Sequence, residues 1–179
     1  MSVADVSPIE VGIVGGGPVG LMLALFLDRL GVSCVLFNTA PTTRWHPKGS
    51  TQGCRTMEHF RRLGIADAIR DLGLPHDHPT DVAYFTRFGG PELARLRMPS
   101  TDDVRQMVAA AAATDQVPEP IHRANQMHVE RYLFEHASQR PNIVTRFGWR
   151  VDRFEQDASG VTVSATPENG GPAERWRAQ

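Results

Sequence analysis

Cysteine is scarce in this sequence: Cys34 and Cys54 are the only two. They make neither a disulfide framework nor a zinc pattern, and they read as free thiols in a reducing compartment. A dominant charge sign is also lacking. The formal net charge is −1, with 19 Lys and Arg against 20 Asp and Glu, so nothing marks a nucleic-acid partner or an acidic tail. The stretch Met1 to Glu10 has no basic segment followed by an apolar one, so no signal peptide is expected. The longest apolar run ends at Asp28-Arg29 and is too short to cross a bilayer. No internal repeat occurs. These absences point to a soluble cytoplasmic protein with no membrane and no nucleic-acid partner. At 179 residues the chain is long enough for one domain with a real core.

What is present is organised around Gly15-Gly16-Gly17-Pro18-Val19-Gly20, which has G-x-G-x-x-G spacing. Ile9 to Val14 ahead of it reads as a buried strand. Pro18 to Leu30 behind it reads as a helix closed by Gly31, and Val32 to Phe37 as a second strand. Strand, glycine turn, helix, strand is the first unit of a dinucleotide-binding fold. Gly15 allows the tight turn, Gly17 removes a Cβ where a pyrophosphate approaches, and Gly20 lets the helix pack close to the strand. Pro18 and Val19 fall in the first helical turn, where free N–H groups and the helix dipole favour phosphate. The helix is apolar on nearly every face, which predicts burial all round. Such folds usually carry Asp or Glu for the ribose hydroxyls at the end of the second strand; here the position is Asn38.

Further along, Arg44 to Gln52 is a polar loop with several cations. Met57, Phe60 and Leu63 fall at helical spacing, and a shorter helical unit covers Ile65 to Leu72. On charge alone the arginines of this stretch form a solvated face. His76-Asp77-His78 lacks other ligands at zinc spacing, so no metal is expected. Residues 82–88 and 92–98 read as a β-hairpin around Gly89-Gly90-Pro91. Ser100 to Ala113 reads as a helix capped by Ser100 or Thr101, and Val117 to Pro120 as a breaker. A helix capped by Asn125 follows, then a third parallel-type strand over Asn142 to Phe147. Arms at 150–156, 161–165 and from Glu174 onward form an antiparallel meander.

Four segments carry a resemblance. They are Val11 to Gly20; His46-Pro47-Lys48-Gly49 with Arg55-Thr56-Met57-Glu58; Arg123-x-x-Gln126-x-x-x-Glu130-x-x-Leu133; and the meander containing Val161. Together they resemble the N-terminal part of the flavin-dependent aromatic hydroxylases of the single-component class A group, which includes para-hydroxybenzoate hydroxylase and phenol hydroxylases. The resemblance implies an α/β, Rossmann-like FAD-binding fold of the glutathione-reductase type. It would have a parallel sheet, an inserted hairpin and an antiparallel meander, and be truncated at its C-terminus. Residues 1–179 would be a partial FAD-binding domain, with 80–105 a hairpin segment contributing to a substrate domain. Gly15, Gly17, Pro18, Val19 and Gly20 would cradle the FAD pyrophosphate. Asn38 stands at the family's ribose-binding acid. Lys48 stands where such enzymes often have an arginine near the flavin and its phosphates, with Arg44 a second cation nearby. Arg123 and Gln126 match residues that reach the FAD phosphates and ribityl chain; on the residues alone, Gln126 also reads as a helix cap and Arg123 as a partner of Glu130.

The implied activity is NAD(P)H-dependent monooxygenation of a phenolic or other activated aromatic compound by FAD and O2. No acid, base or nucleophile stands out, and no catalytic residue is nominated. In the family an Asp-Gly segment follows the meander, led by a strand that lies against the first strand, and a Gly-Asp segment comes much later. Neither occurs here, so the chain is expected to be a truncated N-terminal piece, inactive alone, or one part of a split enzyme whose second chain supplies the remainder. A non-catalytic FAD-binding subunit and a related FAD halogenase or reductase are the alternatives. An NAD-dependent dehydrogenase fits the helix and meander poorly.

Overall fold

The computed structural model describes residues 6–46, 48–110 and 119–179. In chain order the elements are β1 (Val6–Pro8), β2 (Val11–Val14), α1 (Pro18–Arg29), β3 (Cys34–Asn38), β4 (Thr51–Gln52), α2 (Cys54–Arg62), α3 (Ala66–Arg70) and β5 (Val82–Phe85). Then come β6 (Glu92–Leu96), α4 (Thr101–Ala110), β7 (His122–Arg123), α5 (Gln126–Ser138), β8 (Ile143–Phe147), β9 (Trp149–Asp157), β10 (Gly160–Pro167) and β11 (Glu174–Ala178). The chain divides into two compact units, one of residues up to 46 with 129–179, the other of 47–128.

The first unit is built on a parallel sheet in the order β2-β3-β8. Val35 and Phe37 of β3 pack on Val163, Ala165 and Trp176 of the meander, forming its apolar core. The meander runs β9-β10-β11 antiparallel, as its turn signals at Asp157 to Gly160 and Glu168 to Gly171 require. β11 then pairs in parallel with β1, so the third arm itself lies beside the start of the first strand. β2 remains an edge: among the described residues no strand pairs with its outer side. The exposed β9 is protected from edge-to-edge pairing by its charges, Arg150, Asp152, Arg153, Glu155 and Asp157.

Helix α1 corrects one expectation. Gly20, Leu21, Ala24 and Leu25 are buried, yet Val19 is 83% exposed and Leu23 and Leu30 are exposed as well. The helix packs on β3, and its Val19 and Leu23 face solvent. Cys34 is buried and Cys54 partly so, and both are free. Burial, with Asp28 adding to it, pushes the Cys34 thiol up to about 11, so it stays protonated and inert.

In the second unit Met57 and Phe60 turn inward from α2, as their spacing requires. Gly64 ends that helix at φ +76°. β5 and β6 form the expected hairpin, with Val82 opposite Leu96. Ser100 caps α4 reciprocally with Asp103: the Asp103 N–H donates to Ser100 Oγ at 3.1 Å, and the Ser100 N–H to Asp103 Oδ2 at 3.0 Å. The expected reach of α4 to Ala113, and the breaker at Val117-Pro118, lie outside the described residues. A second correction is Arg70. Arg55, Arg61 and Arg62 are exposed, but Arg70 is wholly buried in an ion pair with Glu119.

Candidate functional site

The glycine turn of the first unit separates the three glycine roles geometrically. Gly15 has φ +117°, a conformation that glycine alone adopts without strain, and its N–H donates to the Phe37 carbonyl at 2.8 Å. A Cβ at Gly20 would fall 2.0 Å from the Gly15 carbonyl oxygen and 3.2 Å from Leu36 Cδ1, so this glycine is required by helix–strand packing. Gly17 differs. Its backbone is extended at φ −80°, which any residue adopts, and a Cβ there would meet nothing within 4 Å. The chain itself does not require glycine at 17; the space in front of it is an open cradle at the N-terminus of α1. Pro18 opens the helix, no acidic residue lies in its first turn, and the helical N–H groups there lack intrahelical acceptors. That end of a 12-residue helix favours an anion.

Asn38 closes the same turn. Its Oδ1 accepts the Gly16 N–H at 3.2 Å, and its Nδ2 donates to the Ala40 carbonyl at 3.0 Å. An amide oxygen has a second lone pair and an amide nitrogen a second hydrogen, so one acceptor and one donor position remain on this side chain. Gly16, outside the three fingerprint positions, is equally constrained: a Cβ would lie 2.5 Å from Phe147 Cζ and 2.8 Å from Asn38 Cβ. Arg44 is exposed in the loop that follows and has no ion-pair partner among the described residues.

In the second unit β4 and β7 pair antiparallel, with Thr51 opposite Arg123. Arg123 Nη1 donates to Thr51 Oγ1 at 2.7 Å, and Nη2 lies 3.5 Å from the Thr80 carbonyl oxygen. The Gln126 N–H donates to the Gly49 carbonyl at 2.9 Å, so the loop carrying exposed Lys48 is tied to the start of α5. The cap of α5 is Asn125, whose Oδ1 accepts the Met127 N–H at 3.2 Å. A cavity of about 380 Å³ opens here, lined by the Leu72-Gly73-Leu74 turn with Ser50, Arg123, Asn125 and His128. Its lining residues include Arg123, Asn125, Ser50 and His128 and no Asp or Glu. Sequence reasoning picked out Arg123 but missed Ser50, His128 and the 72–74 turn as its neighbours, because their meeting is tertiary.

His122, beside Arg123, is buried. Burial first, then the neighbouring Arg70 and His76, pushes its imidazole down to about 4. It is therefore neutral at pH 7. Its Nε2 has no hydrogen-bond partner among the described residues. The same residues include no group of three or more His, Cys, Asp or Glu able to hold a metal, and no helix is long and apolar enough to cross a membrane.

The open space at Gly17, at the N-terminus of α1, fits a phosphate group. Residues 8–179 match the family described as FAD binding domain. The chain belongs to the FAD-binding domain family of class A flavin monooxygenases. The FAD-dependent monooxygenase apdD of Emericella nidulans is 34% identical over 179 residues, which cover 99% of this chain and 28% of that protein. The 3-(3-hydroxy-phenyl)propionate/3-hydroxycinnamic acid hydroxylase of Paraburkholderia xenovorans is 29% identical over 162 residues, 90% of this chain and 23% of that one. Among solved structures, the rebeccamycin biosynthetic enzyme RebC with reduced flavin superposes with a TM-score of 0.80 at 35% identity, covering 97% of this chain and 32% of RebC. The chain thus spans roughly a quarter to a third of the length of these relatives.

Proposed function

We propose that this flavin monooxygenase domain holds FAD with Gly15, Gly17, Pro18, Val19, Gly20, Asn38, Arg44, Lys48, Arg123 and Gln126, as part of an NAD(P)H-dependent monooxygenase acting on phenolic or other activated aromatic compounds. The observation that carries the reading is Gly17, where glycine stands without any demand from the chain and opens the helix N-terminus to a phosphate. FAD, when bound, supplies the redox chemistry: it accepts hydride from NADH or NADPH and activates O2 toward the aromatic ring. The protein's part is to bind and orient. The first-turn N–H groups of α1 take pyrophosphate oxygens. The remaining acceptor position on Asn38 Oδ1 takes a ribose hydroxyl. Arg123 brings a fixed positive fork to its cavity.

Aromatic hydroxylases among the relatives support the substrate class. The β5–β6 hairpin, with Tyr84, Phe85, Leu93 and Leu96 exposed, is the part we assign to a substrate domain. A second reading is a non-catalytic FAD-binding subunit, since the family match is to an FAD-binding domain. The test is a visible spectrum of the 179-residue chain after incubation with FAD and desalting, followed by NADH and NADPH oxidation with a panel of phenols. Retained flavin bands are expected; their absence at saturating FAD overturns the cofactor reading. Retained flavin without phenol-stimulated NAD(P)H oxidation favours the subunit reading, and hydroxylated product favours the enzyme.

A further inference from the structure

Arg70, the last residue of α3, has no exposed surface. A guanidinium keeps its charge throughout the pH range of folded proteins, so a buried one persists only where partners replace water. Nη2 donates to Glu119 Oε2 at 2.9 Å and to the Pro120 carbonyl at 3.0 Å, while Nη1 reaches Thr101 Oγ1 at 3.4 Å. Glu119 is itself buried and takes a second cation, Arg61, at 3.5 Å. Two residues beyond Pro120 the chain enters β7, which carries Arg123. The backbone after Arg70 also lies against that strand. The Gly73 N–H donates to the Arg70 carbonyl at 3.0 Å, and the Leu74 N–H to the Arg123 carbonyl at 3.0 Å. There is no slack at this contact: a Cβ on Gly73 would fall 2.2 Å from the Arg123 carbonyl oxygen and 2.3 Å from His122 Nε2. Arg70 therefore holds β7 twice, by its side chain ahead of the strand and by its own turn alongside it.

We propose that Arg70 is a positioning residue, which fixes β7 and so aims the Arg123 guanidinium at the cavity without touching what binds there. The affinity part of this proposal rests on the reading of Arg123 as a cofactor contact. A residue that only stabilised the unit would lower every property of the fold together. A positioning residue acts through Arg123 and loses its effect on affinity once Arg123 is gone.

The test compares the full chain with R70K, R70M, R123M and R70M/R123M. Hydrogen exchange without ligand reads the Leu74 amide, and quenching of flavin fluorescence reads FAD affinity. In R70K and R70M the Leu74 amide is expected to exchange about tenfold faster, while α2 amides keep their wild-type rates. R123M and R70M are each expected to weaken FAD by roughly tenfold, and the double variant to be no weaker than R123M alone. Unchanged Leu74 exchange in R70K overturns the proposal. So does an R70M effect on FAD that is as large in the R123M background as in the wild type. R70K keeps a charge for Glu119 but cannot hold Pro120 and Thr101 with a fork, so it carries the exchange comparison if R70M does not fold. Faster Leu74 exchange in R70K together with wild-type FAD affinity in R123M removes the cofactor reading of Arg123 and leaves Arg70 as the residue that positions β7.

Discussion

Asn38 Oδ1 accepts the Gly16 N–H at 3.2 Å, so the last residue of one parallel strand fastens the glycine turn at the end of its neighbour. Asn38→Ala removes that acceptor and the donor to Ala40, leaving a part-buried N–H without its partner. The expected cost is about 1–2 kcal/mol in urea denaturation. Asn38→Asp keeps an acceptor, now charged, and loses only the Ala40 bond, so it should fall between Asn38→Ala and the wild type. Equal stability of all three would mean that this hydrogen bond does not hold the turn.

The turn was legible in the sequence, and Asn38 was not fully so. G-x-G-x-x-G between two apolar runs fixes strand, turn, helix and strand because Gly15 and Gly20 each answer a local steric demand. The hairpin, the cap at Ser100 and the meander turns were legible for the same local reason. Gly16 and Asn38 constrain each other, and Phe147 packs on Gly16 from a strand more than a hundred residues later. No window along the chain contains that contact. The burial of Arg70 is not legible for a related reason: charge in a short helix reads as a solvated face until Glu119 is brought to it from a distant segment.

His122 gives the unit of residues 47–128 a pH dependence. Burial, Arg70 and His76 hold its imidazole at about 4 in the fold, against the usual 6.5. The unfolded chain therefore binds a proton that the folded chain refuses. Stability is full above pH 6.5, falls as the pH drops toward 4, and levels off below. His136, lowered by burial and Arg140, acts with the same sign in the other unit. The carboxylates whose values are lowered, such as Asp81 and Asp103, lose their contribution only as the pH falls below their ordinary range. His122→Gln should therefore flatten, in part, the pH dependence of this unit's denaturation midpoint between pH 6.5 and 4.5. An unchanged slope in that window would show that His122 is not held neutral.

Lys48 is the single lysine of the sequence and is exposed without an ion-pair partner among the described residues. An exposed, unpaired cation contributes little to stability, so Lys48→Met should move the thermal midpoint hardly at all. If Lys48 meets a phosphate of FAD, the same variant should weaken FAD several-fold at low salt, and added salt should narrow the gap to wild type. Lys48→Arg should keep or tighten binding, because its fork can engage two oxygens. FAD should also shield this amine from acylating reagents, read as a mass shift on the peptide containing it. Equal labelling with and without bound FAD would place Lys48 away from the cofactor.

Gly17 and Gly20 test the cradle against the scaffold. At Gly20 an added methyl would collide with the Gly15 carbonyl oxygen at 2.0 Å, backbone that cannot swing aside, so Gly20→Ala should destabilise by about 2–3 kcal/mol and lose FAD with the fold. At Gly17 the methyl meets open space and an ordinary backbone conformation. Gly17→Ala should keep or slightly raise stability, by up to about 0.5–1 kcal/mol through the less flexible unfolded chain. On the proposed cofactor site its whole deficit should appear in binding, because the methyl would stand where a pyrophosphate oxygen approaches the helix N–H groups. A chain that denatures like wild type yet binds FAD at least tenfold more weakly is the expected result. Wild-type affinity in Gly17→Ala would mean that the phosphate does not lie against this turn, and the assignment of Gly15, Gly17 and Gly20 to the cofactor would fall with it.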